Sequence, residues 1–252
     1  LRLPESWPAH RRPAATPWRE LVGQWAHISR QPIFRAHAFL TASTYGGLYA
    51  YLALSSFVFI NTLQVGRGVY GLIMASISLV YITGTVTCKR SLGRVGLIAT
   101  IRMAGRVSQM ALMYLTAVVL AQVVWQSTAD PALPRPHVPA WIVVPGMWLY
   151  AFAHGIHQPC GQTGVVSGFP TQAGAASALS GFVLSACAVG VGAIVSAWTA
   201  LPAFRDAFLP MTVGMAVGAW MTGHMALVRV QRDGAPPTRE EPVLAMPEVK
   251  PA

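Results

Sequence analysis

The chain has 252 residues, of which 54% are hydrophobic and only 10% charged. Soluble domains carry about 25% charged residues, so a cytosolic globular enzyme is excluded, and the apolarity excludes a disordered chain. The net charge is +10, but Lys and Arg fall between apolar runs rather than along one stripe, which argues against a nucleic-acid surface.

What remains is an all-α, multi-pass membrane protein. Cys88, Cys160 and Cys187 are odd in number, far apart and set in apolar runs. They imply neither a disulfide framework nor a metal site, and no cofactor is expected.

Residues 1–35 are polar and rich in Pro and Arg, with no apolar core of a signal peptide. Within them Trp18, Leu21, Val22, Trp25 and Ile28 recur at helical spacing. That pattern fits either a short amphipathic helix on a membrane surface or a solvated linker.

Six apolar runs follow: Ala36 to Phe59, Val69 to Thr87, Val107 to Trp125, Trp141 to Ser167, Gly174 to Thr199 and Phe208 to Val228. Each approaches the roughly 20 residues that a helix needs to cross a bilayer. The connections are Asn61 to Gly68, Lys89 to Arg106, Gln126 to Ala140, Gly168 to Ala173 and Ala200 to Ala207. Residues 1–35 are thus expected to be a cytoplasmic loop, 36–228 a six-helix bundle and 229–252 a disordered cytoplasmic tail.

The basic residues set the expected orientation. Only Arg67, Arg135 and Arg205 lie in the first, third and fifth connections; the rest lie before the first run, after the second and after the sixth. Cytoplasmic segments hold the excess of Lys and Arg, so both termini are expected inside. No run contains Asp or Glu, which removes the usual intramembrane carboxylate of a proton relay.

Small residues crowd the fifth run, and Gly214 and Gly218 stand four apart in the sixth. Such residues let helix backbones approach closely in lipid. The first run places Tyr45, Tyr49 and Ser56 with Ala42 and Leu52 along one helical stripe. This stripe either lines a cavity for an amphiphilic ligand or makes interhelical hydrogen bonds.

The fourth run holds His154, His157, Gln158 and Gln162 within a sector of roughly 140°. Polar side chains in hydrocarbon require partners or water, and Pro159 removes a backbone donor and is expected to kink the helix. The better reading is a polar, kinked segment facing a central cavity. No third ligand completes a metal site around the two His residues. Ser167–Gly168 is no nucleophile elbow and no Asp stands by for a triad, so enzymatic activity is not expected. The stretch from Gly84 to Gly96, with Lys89, Arg90, Gly93 and Arg94, reads as a tight basic cytoplasmic turn.

Four stretches carry a family resemblance. The run His157, Gln158, Pro159, Cys160, Gly161, Gln162, then Gly168, Phe169, Pro170, then Ala173 to Phe182, resembles spans ten and eleven of the bicyclomycin-resistance branch of the major facilitator superfamily. Tyr45 to Leu52 with Ser56, Phe57 and Val58 resembles its seventh span. The Gly84 to Gly96 stretch is similar to the second copy of the superfamily's basic loop, and Leu3 to Ser6 is like the central cytoplasmic loop.

The resemblance implies the C-terminal six-helix half, a 3+3 inverted repeat, of a proton-coupled multidrug efflux antiporter in a bacterial inner membrane. It implies alternating access, with a site at the interface of two halves. The implied partners are the N-terminal six-helix half, small amphiphilic drug-like molecules, protons and lipid. Tyr45, Tyr49, His157, Gln158 and Gln162 are the expected substrate contacts, His154 a candidate for proton coupling, and Gly84, Lys89, Arg90, Gly93 and Arg94 the expected gating loop. The N-terminal half that holds the family's coupling carboxylate is outside this sequence, so this chain alone is not expected to transport. The alternative from another class is a self-sufficient six-span scaffold or binding protein.

Overall fold

The computed structural model of the chain describes residues 18–130 and 136–235. Leu3 to Ser6, Arg135 and the tail beyond residue 235 lie outside the described residues. Every regular element among the described residues is helical. Three helices are long and apolar enough to cross a membrane: Arg67–Thr128, Ala173–Thr199 and Phe208–Asp233.

The first element, α1 (Trp18–Arg30), is a helix rather than an irregular linker. It buries Ile28 against Val165, Ala176 and Leu179, leaves Trp18 exposed, and stacks Trp25 on Phe182 at 6.4 Å. Helix α2 (Pro32–Phe57) starts with Pro in its first turn, where the missing N–H costs nothing. It ends in a π-helical turn, Val58–Thr62.

Helix α3 (Arg67–Thr128) corrects one expectation. The connection from Lys89 to Arg106 is helical except at Gly96, where φ is 77° and ψ is 177°. A side chain is strongly disfavoured at that φ, so glycine alone makes the break cheaply. Lys and Arg are good helix formers, and here they carry the helix on past its apolar stretch. Gly96 divides α3 into an N-terminal arm, residues 67–95, and a C-terminal arm, residues 97–128.

Helices α4 (Ala140–Ser167) and α5 (Ala173–Thr199) start one residue before their expected positions. Helix α4 runs on through Pro145 and Pro159. Helix α6 (Phe208–His224) continues through a π turn, Met225–Arg229, into α7 (Val230–Asp233). The helical run therefore extends past Val228, into residues expected to be disordered tail.

Side-chain contacts fix the direction of each pass. Along α4, Tyr150 meets Thr44 and Gly161 meets Thr41, so α2 and α4 are antiparallel. Cys160 meets Cys88 and Gly155 meets Tyr81, so the N-terminal arm of α3 runs parallel to α4. Gly146 meets Leu115 while His157 meets Ser108, so the C-terminal arm runs the other way. The chain thus folds back on itself at Gly96.

The same test makes α5 parallel to α2, since Cys187 bonds the Ala42 carbonyl and Gly192 meets Tyr49. It makes α6 antiparallel to α2, through Thr222 at Ser43 and Gly214 at Ala50. Six consecutive helical passes therefore alternate in direction. Their first and last meet where His37 Nε2–H donates to the Gly234 carbonyl at 2.9 Å.

Glycines set the closest crossings. A Cβ at Gly84 would collide with the Phe152 carbonyl, and one at Gly155 would strike the Tyr81 carbonyl, so α4 and the N-terminal arm touch backbone to backbone. Gly47 and Gly218 do the same for α2 and α6.

The charge distribution follows from this topology. Arg35, Lys89, Arg90, Arg94, Arg102, Arg106, Arg229 and Arg232 gather at the end where the Gly96 reversal and the α2–α7 junction lie. Among the described basic residues only Arg67 and Arg205 lie at the other end. There Asp206 accepts from the Phe208 N–H at 3.1 Å and lies 3.1 Å from His137 Nε2.

Candidate functional site

One stripe of α2 carries Tyr45, Tyr49, Leu52 and Ser56, with Tyr49 beside Gly192 of α5. Leu52 and Ser56 are exposed, and the two tyrosines are half-buried. Their rings lie 6.4 Å apart, and Tyr45 lies 6.4 Å from the His154 ring. From His154, steps of four along α4 reach Gln158 and Gln162, both half-buried. Five of the expected residues therefore lie on adjoining stripes of α2 and α4, which meet at Tyr45 and His154.

His154 is held in place. Its Nδ1 shares a 3.1 Å hydrogen bond with the Thr44 hydroxyl, while Tyr150 donates to the Thr44 carbonyl at 2.8 Å. Thr44 thus ties two turns of α4 to α2. On its other flank the imidazole meets the Tyr81 ring at 5.6 Å.

Tyr81 is a residue that sequence reasoning missed. It stands on the N-terminal arm of α3 with Ser78 and Met74 at helical spacing, and that spacing was the available signal. Together with Tyr51, Leu48 and His154 these residues wall a cleft of about 450 Å³ between α2, α3 and α4.

Gln158 is chemically distinctive. Its Oε1 is buried with no hydrogen-bond partner. A buried acceptor left unpaired costs about 1–3 kcal/mol, so a donor from a ligand or an added chain would relieve it.

His157 does not join this face. It is fully buried, and its Nε2 shares a 3.1 Å hydrogen bond with Ser108 on the C-terminal arm of α3. The bond ties α4 to α3 inside the bundle, apart from the other expected substrate contacts.

The expected gating loop is also not one unit. Gly84 lies buried in the α3–α4 crossing, whereas Lys89, Arg90, Gly93 and Arg94 are exposed near the helix end. The residue that makes the turn is Gly96.

A second cleft, of about 520 Å³, opens between α2, α5 and α6. Its walls are almost wholly apolar. No group of three or more His, Cys, Asp or Glu side chains gathers around a metal position among the described residues.

Comparison of the chain with protein-family models, with curated proteins and with solved structures finds no match.

Proposed function

We propose that this chain is the C-terminal six-helix half of a proton-coupled multidrug efflux antiporter of the major facilitator type, and not an enzyme. In this reading all six passes cross a bacterial inner membrane, both termini are cytoplasmic, and the face of Tyr45, Tyr49, His154, Gln158 and Gln162 lines a central cavity. An N-terminal six-helix half closes the other side of that cavity.

The observation that carries the reading is the aromatic and amide face of α2 and α4. It is bordered by α5 on one side and the N-terminal arm of α3 on the other, and it contains a buried, unpaired Gln158 acceptor. Tyrosine rings offer an amphiphile apolar area with a polar tip, and two glutamines offer both donors and acceptors. The basic end, with nearly all the described Lys and Arg, supports a cytoplasmic assignment for that end.

Alternating access follows if the two halves rock about this face. Protons would be carried chiefly by the partner half, because no described pass holds a carboxylate at mid-height. His154 is the one imidazole on the face and the candidate in this half for a protonation role.

The test is drug-driven proton movement in inverted membrane vesicles that carry the complete transporter. Gln158→Ala should reduce that movement severalfold at an unchanged membrane level. His157→Ala should instead lower the amount of folded protein. Undiminished transport in Gln158→Ala would remove this face as the site.

A further inference from the structure

The cleft between α2, α5 and α6 is separate from the proposed transport face. It lies on a neighbouring flank of α2, where Gly46 meets Cys187 and Ala50 meets Gly214. Along α6 its walls run from Pro210 to Met225. At 1.5 Å per residue that is about 22 Å, longer than the roughly 15 Å depth of one leaflet. A groove of this length and apolarity matches one extended hydrocarbon chain.

One end of the groove is charged. Phe39 on α2 and Met225 on α6 are its last wall residues at the basic end. Arg35 lies one turn beyond Phe39, and Arg229 one turn beyond Met225. Arg35 is exposed. The charges of Arg232, Arg229 and Arg35 all act on Asp233. Arg232 already binds Asp233 at 2.8 Å, while Arg229 lies 4.0 Å from it. Three guanidiniums thus share one carboxylate, which leaves a positive excess at the mouth of an apolar slot. Helix α1 frames the same mouth, because Trp25 stacks on Phe182 and Phe182 is a groove wall.

We infer that this groove binds one anionic phospholipid, with its acyl chain along α6 and its phosphate between Arg35 and Arg229. The site rests on the chain lying in a bilayer and on nothing about transport. Neutral lipids fit the slot equally well, so the headgroup sets the preference. A basic side chain near an anionic lipid contributes about a fivefold preference, so two predict about 25-fold.

The experiment is native mass spectrometry of the purified full chain in detergent. It is titrated with phosphatidylglycerol and with phosphatidylcholine of the same acyl chains. Carbonate extraction of the source membranes comes first, so a chain that fails to integrate is recognised before any lipid is added. The expected result is one tightly held phosphatidylglycerol, preferred about 25-fold.

Arg35→Gln with Arg229→Gln should abolish the preference while leaving phosphatidylcholine binding unchanged. Ala186→Trp should fill the slot and remove both lipids at normal helix content. If that variant misfolds, Val217→Trp on the facing helix replaces it. Equal binding of the two lipids, or a preference that survives the double variant, overturns the proposal. So does a chain dimer that excludes lipid and is broken by the Trp variants, which would make a second copy the occupant.

Discussion

Helices α5 and α6 are built from similar material and used in opposite ways. Both are apolar and dense in small residues, yet 44% of the most apolar stretch of Phe208–Asp233, which α6 begins, is buried against 22% of that of α5. The α6 glycines are all engaged: Gly214 faces Ala50, Gly218 meets the Gly47 backbone and Gly223 sits on Gln109. On α5, Gly174, Gly181 and Gly190 face open space, and only Gly192 meets a neighbour, Tyr49. Small residues therefore do one job inside this chain and stand unused at its edge. In lipid an unused small-residue face is a surface on which another helix can sit closely.

The sharpest way to break this contrast is at the α6 crossing. Gly218→Leu inserts a side chain where two backbones touch, and overpacking costs about 1–3 kcal/mol or more. Thermal unfolding of the detergent-solubilised chain, followed by circular dichroism, should show a marked loss of stability. An unchanged unfolding temperature would mean that the α2–α6 contact is not a main support.

Thr222→Val is a milder test of the same crossing. Thr222 donates to the Gly218 carbonyl at 2.7 Å and approaches Ser43 at 3.4 Å. Interhelical hydrogen bonds in membranes average about 0.6 kcal/mol, so a small drop in the same unfolding temperature is expected.

The smallest effect belongs to α5. Gly181→Leu and Gly190→Leu should change the stability of the isolated bundle by no more than about 0.5 kcal/mol. The same pair should weaken co-purification with the N-terminal half if that half docks along α5. A large loss of bundle stability would show that α5 is integral to the chain's own packing.

Much of this architecture was legible because apolar run length maps directly onto helices. Helices α4 and α5 begin within one residue of their runs, since Pro and Gly residues flank them sharply. The α3 reversal was not legible. The charges from Lys89 to Arg106 interrupt the apolar run, and charge by itself does not end a helix. Only the backbone conformation of Gly96 does, and four other glycines nearby (Gly84, Gly93, Gly105 and Gly71) lack it.

The site was half legible for a related reason. Spacing placed His154, Gln158 and Gln162 near one another on α4, and Tyr45 and Tyr49 on α2. Spacing says nothing about which neighbour a stripe meets. His157 lies about 60° from His154 around the helix, and that rotation carries it from the open face to Ser108. Tyr81 was overlooked because a single aromatic in an apolar run resembles core until its partner, His154, is seen.

The hydrogen bond from His37 to the Gly234 carbonyl also bears on how the polypeptide is ordered. It brings the beginning of the first pass beside the end of the last, so the sequence order of the passes is one choice among several for the same bundle. A circularly permuted gene that joins residue 235 to residue 31 through a short flexible linker, and opens between Gly168 and Gln172, gives up α1 and keeps every pair among α2 to α7 intact. Its new ends fall on the same side as the old junction. Closing such a short loop costs little entropy, and cut sites in exposed connections are the ones that permutation tolerates.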